Sequence, residues 1–382
     1  MKRYLRYLAL ISVFALVLAA CGDGEGGDTT TTAGEEPTTT AAEEPTTTAG
    51  EEPTTTTGGE EPGGEAILAC QVSDTGGIDD KSFNQTAWQG VLNAVEAGIA
   101  TEDSQFLESQ APTDYAPNIQ SFVDEGCELI IAAGFLLAAD ITAAAEANPD
   151  QLFQIIDAPS ELDNLQGAVF GTTDAAFLAG YIAAGVSQTG VVATYGGIQI
   201  PCGVTCFMDG FVYGVRYYNQ ENGTEVQTLG WNPEEQTGSF TGDFENADNG
   251  RNLTQSFVDE GADVILPVAG PVGVGSAALA QELGNVWVIG VDADWFQTLP
   301  EYSDVILTSV LKGLDVAAFS AIENVGQGAF EGGTREYTIA EDGVGVGPIN
   351  DAVDPELAAQ IETIRAGLVD GSIVAADMAG GG

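Results

Sequence analysis

The six-residue segment Ser-Phe-Val-Asp-Glu-Gly occurs twice in the chain, at 121–126 and at 256–261. Each copy ends an amphipathic stretch with helical periodicity and stands directly before a short apolar run typical of a buried strand. Similar alternations of strand and helix patterns surround both copies, so the chain repeats one βα plan in two halves. This repetition predicts an α/β protein with two doubly wound parallel sheets and a cleft between them.

The predicted elements are bounded by Gly, Pro and changes in the apolar period. The predicted strands cover 66–72, 128–133, 151–156, 190–195, 224–229, 262–268 and 285–290. The predicted helices cover 83–98, 115–126, 137–148, 205–220, 246–260 and 273–283. Ligands of open α/β sheets bind beyond the carboxyl ends of the strands. The candidate site segments are therefore 74–84, 134–140, 195–207, 270–275 and 292–294.

The charge balance excludes one class of function outright. The 382 residues include 58 Asp and Glu, 9 Lys and Arg and no histidine, which gives a formal net charge of -49. A nucleic-acid-binding protein needs clustered Lys and Arg to neutralise phosphates, and this chain does not have them. The lack of histidine also weighs against a histidine metal ligand or a histidine base. With 44% hydrophobic residues, the chain can still build a sizeable core.

The N-terminus has the pattern of a bacterial lipoprotein signal. Three basic residues among the first six precede an apolar run at 8–18, which is too short to span a bilayer that needs ~20 residues. The run ends in Leu18-Ala19-Ala20-Cys21, which resembles a lipobox whose cysteine receives a diacylglyceryl group. We predict a signal peptide at 1–20 and an extracytoplasmic protein anchored to the cell membrane through Cys21. The alternative is an ordinary secretory signal with a chance cysteine.

The next segment has the composition of a disordered tether. Residues 22–65 contain twelve acids, no Lys or Arg and four Glu-Glu-Pro triplets separated largely by threonines. Such a segment cannot bury enough apolar area to fold, and its like charges repel one another. We therefore predict a tether at 21–65. The remaining residues, 66–382, still contain 46 acids and six basic residues, so the acidity belongs to the folded part as well.

Four cysteines follow the tether, at Cys70, Cys127, Cys202 and Cys206. An extracytoplasmic protein folds in an oxidising compartment, where cysteines pair. The short spacing favours a Cys202–Cys206 bridge. Cys70 and Cys127 are either a second bridge or two buried thiols.

The segment after the first strand ends in a helix start. Ser82 followed by Gln85 has the capping-box spacing, which predicts Ser82 as the N-cap and places Phe83 and Asn84 in the first turn beside the cleft. Asp79 and Asp80 are interpreted as partners of the helix dipole. The alternative for Phe83 is a simple core aromatic.

Several motifs together resemble one known family. The chain is similar, over nearly all of 66–347, to the basic membrane protein family of lipid-anchored, nucleoside-binding proteins of ABC transporters. The motifs are Asp74-Thr75-Gly76-Gly77-Ile78-Asp79-Asp80-Lys81-Ser82-Phe83-Asn84-Gln85, Gly134-Phe135, Leu178-Ala179-Gly180-Tyr181-Ile182-Ala183-Ala184, Gly261-Ala262-Asp263-Val264-Ile265, Ile289-Gly290-Val291-Asp292-Ala293-Asp294 and Leu307-Thr308-Ser309-Val310-Leu311-Lys312.

The resemblance implies a type I periplasmic binding protein fold, with two α/β lobes joined by three crossovers. We expect the crossovers near 170, near 300–308 and near 331–338. The first lobe would comprise 66–170 plus about 308–332. The second lobe would comprise 171–300 plus about 335–368.

The resemblance also implies a purine-nucleoside site that lobe closure assembles. Phe83 and Phe207, one from each lobe, would sandwich the base. Asn84 and Asp140 would bind the base edge, since an amide both donates and accepts whereas an ionised carboxylate only accepts. The alternative for Asp140 is a solvated residue in the first turn of a helix.

The implied ribose contacts come from four further residues. Asp74 and Asp292 would accept hydrogen bonds from the hydroxyls, Lys312 would donate to the hydroxyl oxygens, and Gly270 would let the backbone approach the sugar. Lys312 stands out because 66–382 contains two lysines, although a solvated lysine remains the alternative.

Two departures from the family pattern leave the ligand open. The loop from Pro201 to Cys206 is about one residue longer, so the second aromatic is Phe207 or Phe211. Trp295 stands where a glutamine is common and would stack on the ligand or narrow the cleft. A deoxy, pyrimidine or non-nucleoside ligand therefore remains possible.

The predicted function is binding of a small neutral solute, most simply a purine nucleoside, and its delivery to an ABC transporter permease, without catalysis, cofactor or metal. One alternative is a sugar or signal receptor on the same fold. A second is a nucleoside hydrolase, because the Asp74 to Asp80 segment is similar to the calcium-binding opening of those enzymes. That opening has Asp and Pro where this chain has Gly76 and Gly77, so a hard oxygen ligand is missing.

Overall fold

The structure is a computed structural model, and it describes residues 64–380. The predicted signal peptide 1–20, the lipidation site Cys21 and nearly all of the predicted tether 21–65 lie outside these residues. Between residues 64 and 380, every helix is too short or too polar to span a membrane.

The strands and helices alternate along the described chain. The strands are β1 Ala69–Ser73, β2 Gln105–Leu107, β3 Leu129–Ala133, β4 Leu152–Ile156, β5 Leu165–Phe170, β6 Val191–Gly196, β7 Gln227–Leu229, β8 Trp231–Asn232, β9 Thr237–Gly238, β10 Val264–Val268, β11 Trp287–Asp292, β12 Ile306–Lys312, β13 Gly333–Tyr337 and β14 Val344–Val346. The helices are α1 Phe83–Glu96, α2 Tyr115–Glu125, α3 Ala138–Ala147, α4 Thr172–Val186, α5 Thr205–Asn222, α6 Ala247–Asp259, α7 Gly273–Leu283, α8 Trp295–Thr298, α9 Leu314–Gly326 and α10 Pro355–Asp370.

Two six-stranded sheets with matching strand orders confirm the predicted α/β fold. The first sheet has the order β13-β5-β4-β3-β1-β2 and is parallel throughout. The second has the order β14-β12-β11-β10-β6-β7 and is parallel except for β14. Each strand of the first sheet therefore has a counterpart in the second. A short antiparallel pair, β8 with β9, lies outside both sheets.

The central strands are buried on both faces, because helices cover both sides of each sheet. All five residues of β1, of β3 and of β10 are buried. Helices α4 and α5 of the second lobe pack closely because glycines stand at their contact. A Cβ on Gly180 would lie 2.1 Å from the carbonyl oxygen of Phe211, and one on Gly214 would lie 1.9 Å from that of Phe177.

The lobe assignment of two strands differs from the prediction. β12, which contains 308–312, pairs with β11 and β14 and so belongs to the second sheet. β13 pairs with β5 and belongs to the first sheet, although 335–337 was predicted in the second lobe. The chain thus changes sheets after β5, after β12 and after β13. Apolar periodicity identifies a buried strand, but it does not specify which sheet completes the strand's hydrogen bonds.

Two disulfides stabilise the described chain. The predicted Cys202–Cys206 bridge is present. Cys70 and Cys127 form a second bridge, which connects β1 with the turn before β3 and is fully buried. The alternative of two buried thiols is therefore wrong.

Candidate functional site

A cleft lies at the carboxyl ends of the strands of both sheets, as expected for this fold. Its empty volume is about 610 Å³, which includes space open to solvent. Six of the eight predicted ligand-binding residues line it, three from each lobe: Asp74, Phe83, Asn84, Phe207, Gly270 and Asp292.

The start of α1 is organised by Asp80 and not by Ser82. The Asp80 carboxylate accepts hydrogen bonds from the backbone N–H groups of Ser82, Asn84 and Gln85, at 2.8–3.0 Å. Ser82 is the N-cap residue, but its side chain makes no capping hydrogen bond, so the predicted capping box is wrong. The Ser82 hydroxyl instead donates across the cleft to Oδ2 of Asp292, at 2.8 Å. Because Asp80 accepts the hydrogen bonds at the start of α1, the Ser82 hydroxyl is available for a hydrogen bond between the lobes.

Asp74 and Asn84 form a buried pair on the first lobe. Nδ2 of Asn84 donates to Oδ1 of Asp74 at 2.9 Å, while Oδ1 of Asn84 is buried and has no hydrogen-bond partner within residues 64–380. Gly134 has φ 120°, and a Cβ there would meet Oδ2 of Asp74 at 2.4 Å, so glycine is required. Burial raises the pKa of Asp74 to about 7 against the effect of the Asn84 hydrogen bond, and the charges of Asp80 and Asp157 raise it further.

Two aspartates occupy equivalent positions at the ends of β4 and β11. Asp157 directly follows β4, Asp292 ends β11, and their φ angles are 71° and 66°. Non-glycine residues rarely adopt this region, and such outliers cluster at functional sites. Burial raises the pKa of Asp292 to about 6, although Lys312 and Ser82 lower it. Sequence reasoning missed Asp157; comparing the strand ends of the two repeats would have found it beside Asp292.

The ammonium group of Lys312, at the end of β12, is surrounded by a carboxylate and three aromatic rings. Its side chain is buried, and Nζ donates to Oδ2 of Asp157 at 2.6 Å. Nζ also lies 5.2–5.4 Å from the ring centroids of Phe83, Phe170 and Phe207. The residue does not line the cleft, which differs from the expected contact with a ribose. The ion pair and the rings join groups from both lobes around one ammonium group.

The other predicted aromatic and acidic residues lie elsewhere. Asp140 is half-buried in the first turn of α3 and is outside the cleft lining. Phe207 and Phe211 are both fully buried in α5, and Phe207 is the one of the two that lines the cleft. Trp295 is also buried, close to Gly273 and Gly290 in the second lobe, so it neither lines nor narrows the cleft.

Hydrophobic residues that were not predicted to bind the ligand also line the cleft. Phe135 follows β3, and Ile200 and Val204 lie in the loop after β6. The relevant signal was their position in segments 134–140 and 195–207, just after strands. No group of three or more acidic, cysteine or histidine side chains within residues 64–380 is arranged to hold a metal ion.

The raised carboxyl pKa values predict that acidification stabilises the protein. An unfolded Asp has a pKa of about 3.9, so the folded state binds more protons between that pH and the folded pKa values. The contribution of these carboxyl groups to the free energy of unfolding is therefore fully present below a pH of about 4, and it is lost as the pH rises towards 7. We expect Asp74→Asn to gain thermal stability relative to the native chain between pH 5 and pH 8, in scanning calorimetry. A constant difference across this range would contradict the prediction.

The chain is similar to known proteins over both lobes. The family model of PnrA-like ABC transporter substrate-binding proteins, Bmp, matches residues 67–374. A CD4+ T-cell-stimulating antigen of Listeria monocytogenes is 32% identical over 326 residues, covering 80% of this chain and 87% of the relative. The ABC transporter nucleoside-binding protein BmpA of Lactococcus lactis is 28% identical, covering 80% and 88%. An uncharacterized lipoprotein of Pyrococcus furiosus is 29% identical, covering 75% and 71%.

Comparison with solved structures also gives a match to a solute-binding protein of an ABC transporter. A solute-binding protein of an ABC transporter system from Aeropyrum pernix superposes with a TM-score of 0.68 at 25% identity, covering 80% of this chain and 92% of that one. The fold is therefore that of type I periplasmic binding proteins, as the family resemblance implied. The match to the family model extends over both lobes and the cleft between them. This protein belongs to the Bmp family of PnrA-like ABC transporter substrate-binding proteins.

Proposed function

We propose that the protein is an extracytoplasmic lipoprotein that binds a purine nucleoside in the cleft and delivers it to the permease of an ABC transporter. The observation that carries this proposal is the pair of phenylalanines, Phe83 of the first lobe and Phe207 of the second, lining one cleft together with Asp74, Asn84 and Asp292. The nucleoside-binding name of the Lactococcus lactis relative supports the same ligand class.

The aromatic residues suit a flat heterocycle. Stacking of a base on an aromatic side chain contributes ~1–3 kcal/mol per base in other proteins. Because Phe83 and Phe207 belong to different lobes, a base between them would stabilise the closed arrangement more than the open one. A ligand that binds both lobes shifts the equilibrium towards closure by its difference in affinity for the two states.

The polar groups suit a ligand with both donors and acceptors. Oδ1 of Asn84 is buried and lacks a partner among the described residues, and an unpaired buried acceptor is unfavourable by ~1–3 kcal/mol. An N–H group of a base would satisfy it. Asp74, with a pKa of about 7, can donate a proton in its neutral form or accept a hydrogen bond when ionised.

The charges of the cleft disfavour a phosphorylated ligand. Asp74, Asp80, Asp157 and Asp292 line the cleft, and the nearby ammonium of Lys312 is already paired with Asp157. A phosphate group would meet uncompensated negative charge at low local dielectric. Neutral nucleosides, whose hydroxyls donate hydrogen bonds, would fit these carboxylates.

The N-terminal pattern supports the proposed location. A short apolar run ends at Cys21 in a lipobox-like sequence, and a relative from Pyrococcus furiosus is described as a lipoprotein. Lipidation of Cys21 would keep the binding protein near a membrane-embedded permease. The acidic segment 22–65 would act as the tether between the lipid and the folded lobes.

Isothermal calorimetry with residues 22–382 tests the ligand class. We expect adenosine, guanosine or inosine to bind, and D-ribose and the corresponding 5′-monophosphates to bind far more weakly. If no purine nucleoside produces heat at millimolar concentration, the proposal is wrong. Preferential binding of ribose would support a sugar receptor, and release of free base during the titration would support a nucleoside hydrolase.

The stacking role of Phe83 gives a specific prediction. Phe83→Ala removes one face of the proposed sandwich, so purine nucleoside affinity should fall at least about tenfold, which corresponds to ~1.4 kcal/mol. Phe106→Ala is the control, because Phe106 is 38% exposed and packs on Trp88 outside the cleft lining. If both variants bind the nucleoside with equal affinity in calorimetry, Phe83 is not part of the binding site.

A further inference from the structure

The two disulfides within residues 64–380 lie in different environments. Cys70 and Cys127 are buried in the core of the first lobe. Cys202 is exposed and Cys206 is partly exposed, and their bridge closes a loop of the second lobe at the edge of the cleft. The two bridges therefore differ both in access to solvent and in distance from the ligand site.

The exposed bridge connects the cleft loop with the helix that carries Phe207. Helix α5 begins at Thr205, so Cys206 lies in its first turn, directly before Phe207. The loop residues Ile200, Gly203 and Val204 line the cleft. One covalent bond thus restrains several residues of the cleft lining.

Local hydrogen bonds also restrain this loop, and the N–H group of Gly203 donates one of them to the Pro201 carbonyl at 2.8 Å. The Ile200 carbonyl accepts hydrogen bonds from the N–H groups of Val204 and Thr205, and the Cys202 N–H donates to Oγ1 of Thr205 at 3.1 Å. Cys202 has φ 60°, which is sparsely populated by residues other than glycine. Such a conformation persists when its surroundings hold it. The bridge is one of those restraints.

The loop also reaches the first lobe. A Cβ built on Gly203 would lie 3.4 Å from Oδ2 of Asp157 and 3.0 Å from Cγ2 of Ile200. The bridged loop therefore lies beside the carboxylate that pairs with Lys312. A shift of this loop would change the cleft lining on the second lobe and its contact with the first.

We propose that the Cys202–Cys206 bridge positions the ligand-binding loop and that its reduction by a dithiol lowers the affinity of the cleft. This inference rests on the proposed nucleoside-binding function. With the bridge closed, the loop is ordered before the ligand arrives; with the bridge open, binding must order it, and affinity falls.

The chemistry needs a dithiol reductant and transfers two electrons. A thiolate of the reductant attacks Sγ of Cys202, which is an exposed residue, and Sγ of Cys206 leaves as a thiolate that takes up a proton. The second thiol of the reductant then attacks the mixed disulfide. Cys202 is released as a thiol and the reductant becomes a cyclic disulfide. Solvent access favours this bridge over the buried Cys70–Cys127 bridge.

The experiment compares nucleoside affinity in two double variants of residues 22–382. In calorimetry with adenosine, guanosine and inosine, Cys202→Ser with Cys206→Ser should raise Kd at least tenfold. Cys70→Ala with Cys127→Ala, measured below its unfolding midpoint, should stay within threefold of the native value. An unchanged Kd in the first variant, or equal losses in both, would overturn the proposal.

Two measurements do not depend on the ligand. In mass spectrometry, a mild dithiol should open Cys202–Cys206 before Cys70–Cys127; the reverse order would overturn the proposed reduction. In hydrogen exchange of the ligand-free protein, residues 200–208 should exchange faster in the Cys202→Ser and Cys206→Ser variant, and unchanged exchange would overturn the positioning role. If the native protein binds no purine nucleoside, the proposed function fails separately, and hydrogen exchange still decides the role of the bridge.

Discussion

Replacing Lys312 with methionine should destabilise the protein by ~3–5 kcal/mol at pH 7, because it leaves the buried carboxylate of Asp157 without its cation. Nζ of Lys312 donates to Oδ2 of Asp157 at 2.6 Å, and the side chains of the pair are 1% and 10% exposed. Burial already raises the pKa of Asp157 against the opposing effect of Lys312. Denaturant unfolding measures the loss directly.

Two comparisons make this prediction specific. Lys81→Met is the control, because Lys81 is exposed and surface substitutions usually change stability by less than ~0.5 kcal/mol. Adding Asp157→Asn to Lys312→Met should restore part of the loss, since no carboxylate then remains unpaired. The loss in the single variant should also shrink as the pH is lowered, because burial raises the pKa of Asp157 and protonation removes its unpaired charge. Additive losses in the double variant would contradict the coupling.

The second large effect is expected from the core disulfide. Cys70→Ala with Cys127→Ala should lower the unfolding free energy by ~4 kcal/mol, because the bridge closes a long loop in the unfolded chain. The two cysteines are 57 residues apart and fully buried, so small cavities add to the loss. Thermal and denaturant unfolding under oxidising conditions measure it.

The cleft bridge supplies the comparison for this prediction. Cys202 and Cys206 are four positions apart in the sequence, for which the same loop entropy relation gives ~2 kcal/mol. Removal of the Cys70–Cys127 bridge should therefore cause the larger loss of unfolding free energy. Removal of the Cys202–Cys206 bridge should cause the larger loss of ligand affinity. Equal stability losses for both pairs would show that loop length does not determine their contributions.

The local structure was largely predictable from nearby residues. Helix α7 covers 273–283 as predicted, and α1 starts at Phe83 as predicted and ends two residues earlier, at Glu96. A helix or strand that buries one face repeats its apolar residues with a fixed period, so a short window of sequence reveals it. The alternation of such windows was sufficient to predict two parallel sheets.

The segments that line the cleft followed from the same reasoning, whereas the ligand-binding residues within them were implied by the resemblance to the basic membrane protein family. Asp74 and Asp292 stand at strand ends, and the carboxyl ends of parallel strands meet at one edge of a sheet. Asp140 also follows a strand, but it lies in the first turn of α3 outside the cleft lining. Position along the chain identifies candidates, whereas the direction of a side chain depends on the packing of its element.

The sequence alone determined the α/β class, the repeated order of strands and helices, the two-lobed plan and the segments that supply most of the cleft lining, because each depends on local periodicity or on a position at a strand end. Only the tertiary structure decided which sheet β12 and β13 join, that Ser82 donates to Asp292 and that Lys312 pairs with Asp157. These partners are 210 and 155 residues apart. Such contacts form only when the two lobes, which are built from different segments of the chain, pack together.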